Sequence, residues 1–162
     1  MEQGNYLKGT RVEETMDYAR RLGVKKLGVA FCLGLKAEAK ILCDILRANG
    51  FEVESVCCKS CGLDKSVIDV PAESRFDGGA GFEAMCNPIG QAELLGRAGT
   101  ELNILVGLCV GHDTLFLRHT KAPATVLVAK DRVLGHNPVA ALYGAGYYRK
   151  GVYEYIKKWE DQ

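Results

Sequence analysis

Two hydrophobic periods alternate along this chain. Arg11 to Leu22 sets Val12, Met16, Ala19 and Leu22 at helical spacing, with Thr10 and Glu13 as a capping box and Gly23 as the stop. Lys25 to Phe31 is a short, nearly unbroken apolar run, the pattern of a strand covered on both faces, and Cys32 follows it. Leu35 to Asn49 returns to helical spacing through Leu35, Ala39, Leu42 and Leu46, with Gly50 as C-cap. Phe51 to Cys57 alternates as a second strand. Asn87-Pro88 opens a helix to Ala98, Leu102 to Leu108 is a third strand, His112 to His119 a short helix, and Ala124 to Ala129 a fourth strand. A brief extended piece is expected after Asp131, a helix over Val139 to Tyr143, and an amphipathic helix over Gly151 to Trp159.

Strands alternating with helices imply right-handed βαβ units. The expected fold is a three-layer Rossmann-like or flavodoxin-like α/β domain with a mainly parallel sheet. At 162 residues one domain spanning 1–162 suffices, interrupted by a cover loop over about 62–87 that holds Pro71 and Gly78-Gly79-Ala80-Gly81. That loop far exceeds the roughly 2–6 residues of an ordinary βα connection, which marks it as a functional cover.

Composition narrows the function. The net charge is +1 with both signs interspersed, and no basic block or basic amphipathic helix points to nucleic acid or a membrane surface. No apolar run reaches the roughly 20 residues of a membrane span, and the N-terminus lacks a signal-peptide pattern, so a cytoplasmic protein is expected. In a reducing compartment seven cysteines, an odd number, speak for metal or redox chemistry over a disulfide framework.

The cysteines are placed to act together. Cys58-Lys59-Ser60-Cys61 is a Cys-x-x-Cys, a spacing that aims two thiolates at one metal ion or joins them in a labile disulfide. Cys32, Cys57 and Cys109 end predicted strands, and Cys86 precedes a helix start, so six of the seven are expected at the carboxyl edge of the sheet, where open parallel sheets bind ligands. Cys109-Val110-Gly111-His112 adds a Cys-x-x-His pair. The metal-ligand candidates are Cys57, Cys58, Cys61, Cys86, Cys109 and His112. Cys32 reads equally as a strand-end core residue, and Cys43, beside a core stripe, as a small buried hydrophobe. His136 and His119 read as a solvated loop residue and a helix C-terminal charge. Gly78–Gly81 lacks the lysine and strand-to-helix setting of a phosphate loop, and there is no dinucleotide fingerprint, Ser-His-Asp set or carboxylate pair.

Met85-Cys86-Asn87-Pro88-Ile89-Gly90-Gln91-Ala92, Gly107 to Asp113 and Lys130 to Pro138 resemble the prokaryotic cysteine-rich family catalogued as domain of unknown function 1847, often labelled metal-binding. The resemblance runs from about Val12 to Tyr143 and implies a metal site built from these same cysteines, with no established reaction. Many members carry a cysteine-rich N-terminal extension, and with no cysteine before Cys32 only the α/β-domain site carries over.

Three functions follow as expectations. The first is a metal protein holding zinc or an iron–sulfur cluster, with a possible redox partner. The second is a thiol enzyme using Cys58 and Cys61 as an exchange pair, or Cys109 with His112 as its base. The third is a metal-free module binding a small molecule at the Gly78–Gly81 loop. The tyrosines of the C-terminal end, from Tyr143 onward, suit either a second subunit or the chain's own core.

Overall fold

A computed structural model describes residues 8–144. Its strands are β1 (Lys26–Phe31), β2 (Glu52–Cys57), β3 (Leu102–Val106) and β4 (Ala124–Val128), all parallel, in the order β2-β1-β3-β4. Helices α1 (Arg11–Arg21) and α2 (Lys36–Ala48) cover one face, and α3 (Pro88–Arg97) and α4 (His112–His119) the other. A short α5 (Val139–Tyr143) ends the described chain. The three-layer α/β expectation holds. The proposed helix over Gly151 to Trp159 and the tyrosines beyond Gly144 lie outside the described residues.

Strand alternation sorts the core into two layers. Leu27 and Val29 of β1, with Leu102, Ile104 and Val106 of β3, meet Met16, Ala19, Ala39, Leu42 and Leu46. Ala30 and Leu105, one residue out of phase, meet Ala92, Leu95 and Phe116 on the opposite face. A central strand buried on both faces needs apolar residues at every position, which is why the first and third strands read as continuous runs. Cys43 packs in the first layer, as its sequence position predicts, and burial pushes its thiol up.

Local signals set the helix starts. Thr10 and Glu13 form the reciprocal capping box of α1, Thr10 N–H donating to Glu13 Oε2 at 2.6 Å. Asn87 Oδ1 caps α3 by accepting from Gly90 N–H at 2.7 Å, with Pro88 at the first helical position. One expectation fails. Residues 132–136 form turns instead of an extended piece, because Asp131 Oδ1 accepts from Val133 N–H at 3.0 Å and Leu134 N–H at 2.9 Å. An aspartate bonding amides two and three residues on curls its own loop.

The long cover segment is built around Asp64. Its carboxylate accepts from Ser66 N–H at 2.8 Å and Glu83 N–H at 2.7 Å, and Arg75 lies 3.5 Å away. Lys65 pairs with Glu83, and Asp64 bridges Ala84 in antiparallel fashion. These amide bonds hold the Asp64 carboxyl down at about 2. A depressed carboxyl stabilises above its unfolded value, near pH 4, and loses that contribution as pH falls through about 2. Acidification to about pH 2 therefore opens residues 64–84 first, seen as pepsin cleavage confined there. Equally fast cleavage within 26–31 or 102–106 would contradict this.

Candidate metal centre at the sheet edge

The connections leaving β1, β2 and β3 at the carboxyl end of the sheet each bring a sulfur to it. β1 runs into Cys32, whose N–H is tied to Val106 O at 3.1 Å. β2 ends at Cys57, and the next residue, Cys58, donates its N–H to Phe31 O at 2.8 Å. The cover segment returns along Met85 and Cys86, and Asn87 N–H donates to Cys58 O at 2.8 Å, which fixes Cys86 beside Cys58. β3 leaves through Gly107, at φ +63°, to Cys109 at the foot of α4.

One buried amide aligns the first two of these strand ends. Gln91, fully buried in the opening turns of α3, donates Nε2 to Phe31 O at 3.2 Å and Val56 O at 2.7 Å. Those are the carbonyls immediately before Cys32 and Cys57. Replacing Gln91 by Leu removes the only side-chain donor to both carbonyls among the described residues. Its expected cost is about 1–3 kcal/mol in denaturant unfolding, and no loss would contradict the clamp.

The sulfurs form a graded cluster. Cys58 Sγ and Cys86 Sγ lie 3.8 Å apart, and Leu33 N–H approaches Cys58 Sγ at 3.4 Å. Cys32 and Cys57 also interact with the Cys58 thiol, and Cys86 feels the charges of Cys109 and Cys32. The Cys58–Cys86 hydrogen bond, assisted by the Lys59 ammonium, lowers the Cys86 thiol to about 7, while the same bond and burial push Cys58 up. Burial likewise raises Cys57. In metal-stripped, reduced protein, alkylation of Cys86 by iodoacetamide should therefore rise through pH 7 and level off above it. A midpoint near the ordinary thiol value, about 8.5, would contradict that assignment.

Other candidates stand differently. Cys61 is exposed at φ +86°, and its Sγ accepts from Asn87 Nδ2 at 3.4 Å, so the Cys-x-x-Cys turn does not bring Cys58 and Cys61 together in a hydrogen bond. Cys109 Sγ accepts from Arg132 Nη2 at 3.2 Å. His112 occupies the first position of α4, its backbone N–H on Cys109 O at 2.9 Å. All seven cysteines are free thiols, and among the described residues no group of three or more His, Cys, Asp or Glu is already arranged around a common ion position. The Gly78–Gly81 loop holds its own anion, because Asp77 accepts from Gly79 N–H at 2.9 Å and Gly81 N–H at 2.8 Å.

Gln91, Lys59 and Arg132 were not signalled by spacing. Gln91 and Arg132 had a trace in sequence, since they lie in the Met85 to Ala92 and Lys130 to Pro138 stretches that carry the family resemblance, and Lys59 lies inside the Cys-x-x-Cys.

An uncharacterized protein of Methanocaldococcus jannaschii is 51% identical over 150 residues, covering 93% of this chain and 75% of the relative. Two solved structures of Dph2 from Pyrococcus horikoshii, one with a 4Fe-4S cluster, superpose with TM-scores of 0.44 at 15% and 16% identity. They match 88% and 86% of this chain, which spans about a third of their length, 33% and 32%. The profile of the family described as protein of unknown function DUF1847 matches residues 1–127, and the chain belongs to that family.

Proposed function

We infer that this protein binds a metal through thiolates at the carboxyl edge of its sheet, with Cys58 and Cys86 sharing one ion. The observation that carries the reading is their 3.8 Å separation. Two thiolates each about 2.3 Å from one tetrahedral ion stand about 3.8 Å apart. The donor set is sulfur-rich, which suits zinc or iron over hard cations. Cys32 and Cys57, already interacting with Cys58, and Cys109, within electrostatic reach of Cys86, are the ligands that complete the set. Filling the remaining positions requires side-chain rotation, since no third ligand stands in place among the described residues.

The spacing also discriminates among centres. A shared ion occurs in mononuclear sites and in a [2Fe–2S] cluster held by four cysteines, where each iron takes two. In a cubane each iron takes a single protein thiolate, so Cys58 and Cys86 would have to separate. Bound zinc would supply a Lewis acid, and iron one-electron chemistry; the chain's own part is to hold and desolvate the thiolates beneath the cover segment.

The same 3.8 Å is the distance of a thiol–thiolate hydrogen bond, so metal content decides. Protein purified without oxygen and without a histidine tag should contain about one zinc or at least one iron per chain, with a visible charge-transfer band in the iron case. Stoichiometrically metal-free protein with full thiol titre would overturn the reading. A second reading, thiol catalysis at Cys109, is favoured by one observation, the Arg132 guanidinium on its sulfur. It predicts an activity that survives chelation and disappears on alkylation.

A further inference from the structure

The order β2-β1-β3-β4 places the topological switch point between β1 and β3. The chain leaves β1 toward the α2 face and β3 toward the α4 face, so their carboxyl ends part at the place where open parallel sheets bind ligands. Cys32 and Gly34 line one side of it, and Gly107 and Cys109 the other. Into this crevice the loop after β4 sends two cations. Lys130 is half-buried, and a Cβ added to Gly34 would meet its Nζ at 3.7 Å, one added to Gly107 its Cε at 3.9 Å. Arg132 reaches Cys109 Sγ, and the charges of Cys32 and Cys86 also act on it.

Neither cation is paired with a carboxylate among the described residues. Among the described residues no ion pair involves Lys130 or Arg132, and no hydrogen bond holds the Lys130 ammonium. Asp131, between them in sequence, commits Oδ1 to Val133 and Leu134 amides. Its loop is locked further by His136, which gives its N–H to Asp131 O at 2.7 Å and accepts Asp131 N–H on Nδ1 at 3.1 Å. A half-buried ammonium without a counter-charge is costly, and a rigid loop holding two cations over a crevice supplies what an oxyanion needs.

We propose that the switch-point crevice binds the carboxylate or phosphate of a small molecule, with Lys130 and Arg132 as its clamp, beside the sulfur cluster. The clamp goes beyond the metal reading but borders it at Cys109, which Arg132 touches, so its test runs on protein as purified and again after metal removal.

Inorganic phosphate and malonate, which separate the two oxyanion sources, are titrated at constant ionic strength while the Gly34 and Gly107 amide resonances are followed. The clamp predicts a saturable shift with at least one of the two probes. Lys130→Gln and Arg132→Gln should each weaken it tenfold or more, and the exposed position of Arg132 makes that variant safe to fold. Lys121→Gln, whose ammonium instead lies 3.6 Å from Glu93, should leave it unchanged. No saturable shift with either probe, or a shift that survives both substitutions, overturns the proposal.

Discussion

Cys58→Ser should lose its metal, with affinity falling about a hundredfold or more, and Cys86→Ser should do the same. Structural zinc sites of four ligands bind with about 10–16 kcal/mol, so each thiolate carries roughly 3 kcal/mol, and a serine hydroxyl replaces little of it. The two losses should not add. Once one member of the 3.8 Å pair is gone the ion has lost its anchor, and the double variant should bind scarcely worse than either single one. Cys61→Ser should cost far less, because its sulfur is exposed and faces the Asn87 amide. Cys43→Ser should leave metal untouched and cost stability only, since Cys43 is buried on the α2 side of the sheet. Competition with a chromophoric chelator ranks all four, and equal loss in Cys61→Ser and Cys58→Ser would contradict the ligand assignment.

Gly107→Ala should be the most damaging single-methyl change near the centre. The residue sits at φ +63°, where a side chain costs about 1–2 kcal/mol. The added Cβ would also fall 2.0 Å from Cδ1 of the buried Leu35, an overlap that forces movement and adds about 1–3 kcal/mol. Gly99→Ala is the control, with φ +72° and nothing within 4 Å of the new methyl. It should show the backbone cost alone. At about 2–4 °C per kcal/mol for a chain of this size, Gly107→Ala should melt roughly 5–15 °C lower and Gly99→Ala only a few degrees lower. The consequence reaches the sulfurs, because Leu35 N–H is bonded to Cys32 O at 2.8 Å and a displaced Leu35 drags that loop. Equal melting points for the two variants would show that Leu35 yields to the new methyl without cost.

How much of this was legible in the sequence depends on range. Local signals were: the Thr10–Glu13 box and the Asn87-Pro88 start act over three or four residues and formed as read. The all-apolar β1 and β3 announced a doubly covered sheet, and the parallel βαβ rule then carried Cys32, Cys57, Cys58 and Cys109 to one edge. The partner of Cys58 was not legible. Spacing nominates Cys61, but partner choice turned on the left-handed backbone at Cys61 and on the return of the cover segment to Cys58 O through Asn87. Arg132 on Cys109 joins residues 23 apart through a loop whose curl depends on Asp131 and His136, the same curl that defeated the expected extended piece. Gln91 was hidden for another reason: it lies in a stretch that carries the family resemblance, but its role exists only once Phe31 O and Val56 O stand side by side.

The most direct test of the central claim is metal-edge X-ray absorption on anaerobically purified protein, with Cys58→Ser measured alongside. A centre anchored by the Cys58–Cys86 pair predicts three or four sulfur neighbours at about 2.3 Å in the wild type. It also predicts that the variant, loaded with excess metal, loses that sulfur shell. A wild-type shell of nitrogen and oxygen, or a sulfur shell unchanged by Cys58→Ser, would contradict the account and place the metal, if any, elsewhere on the chain.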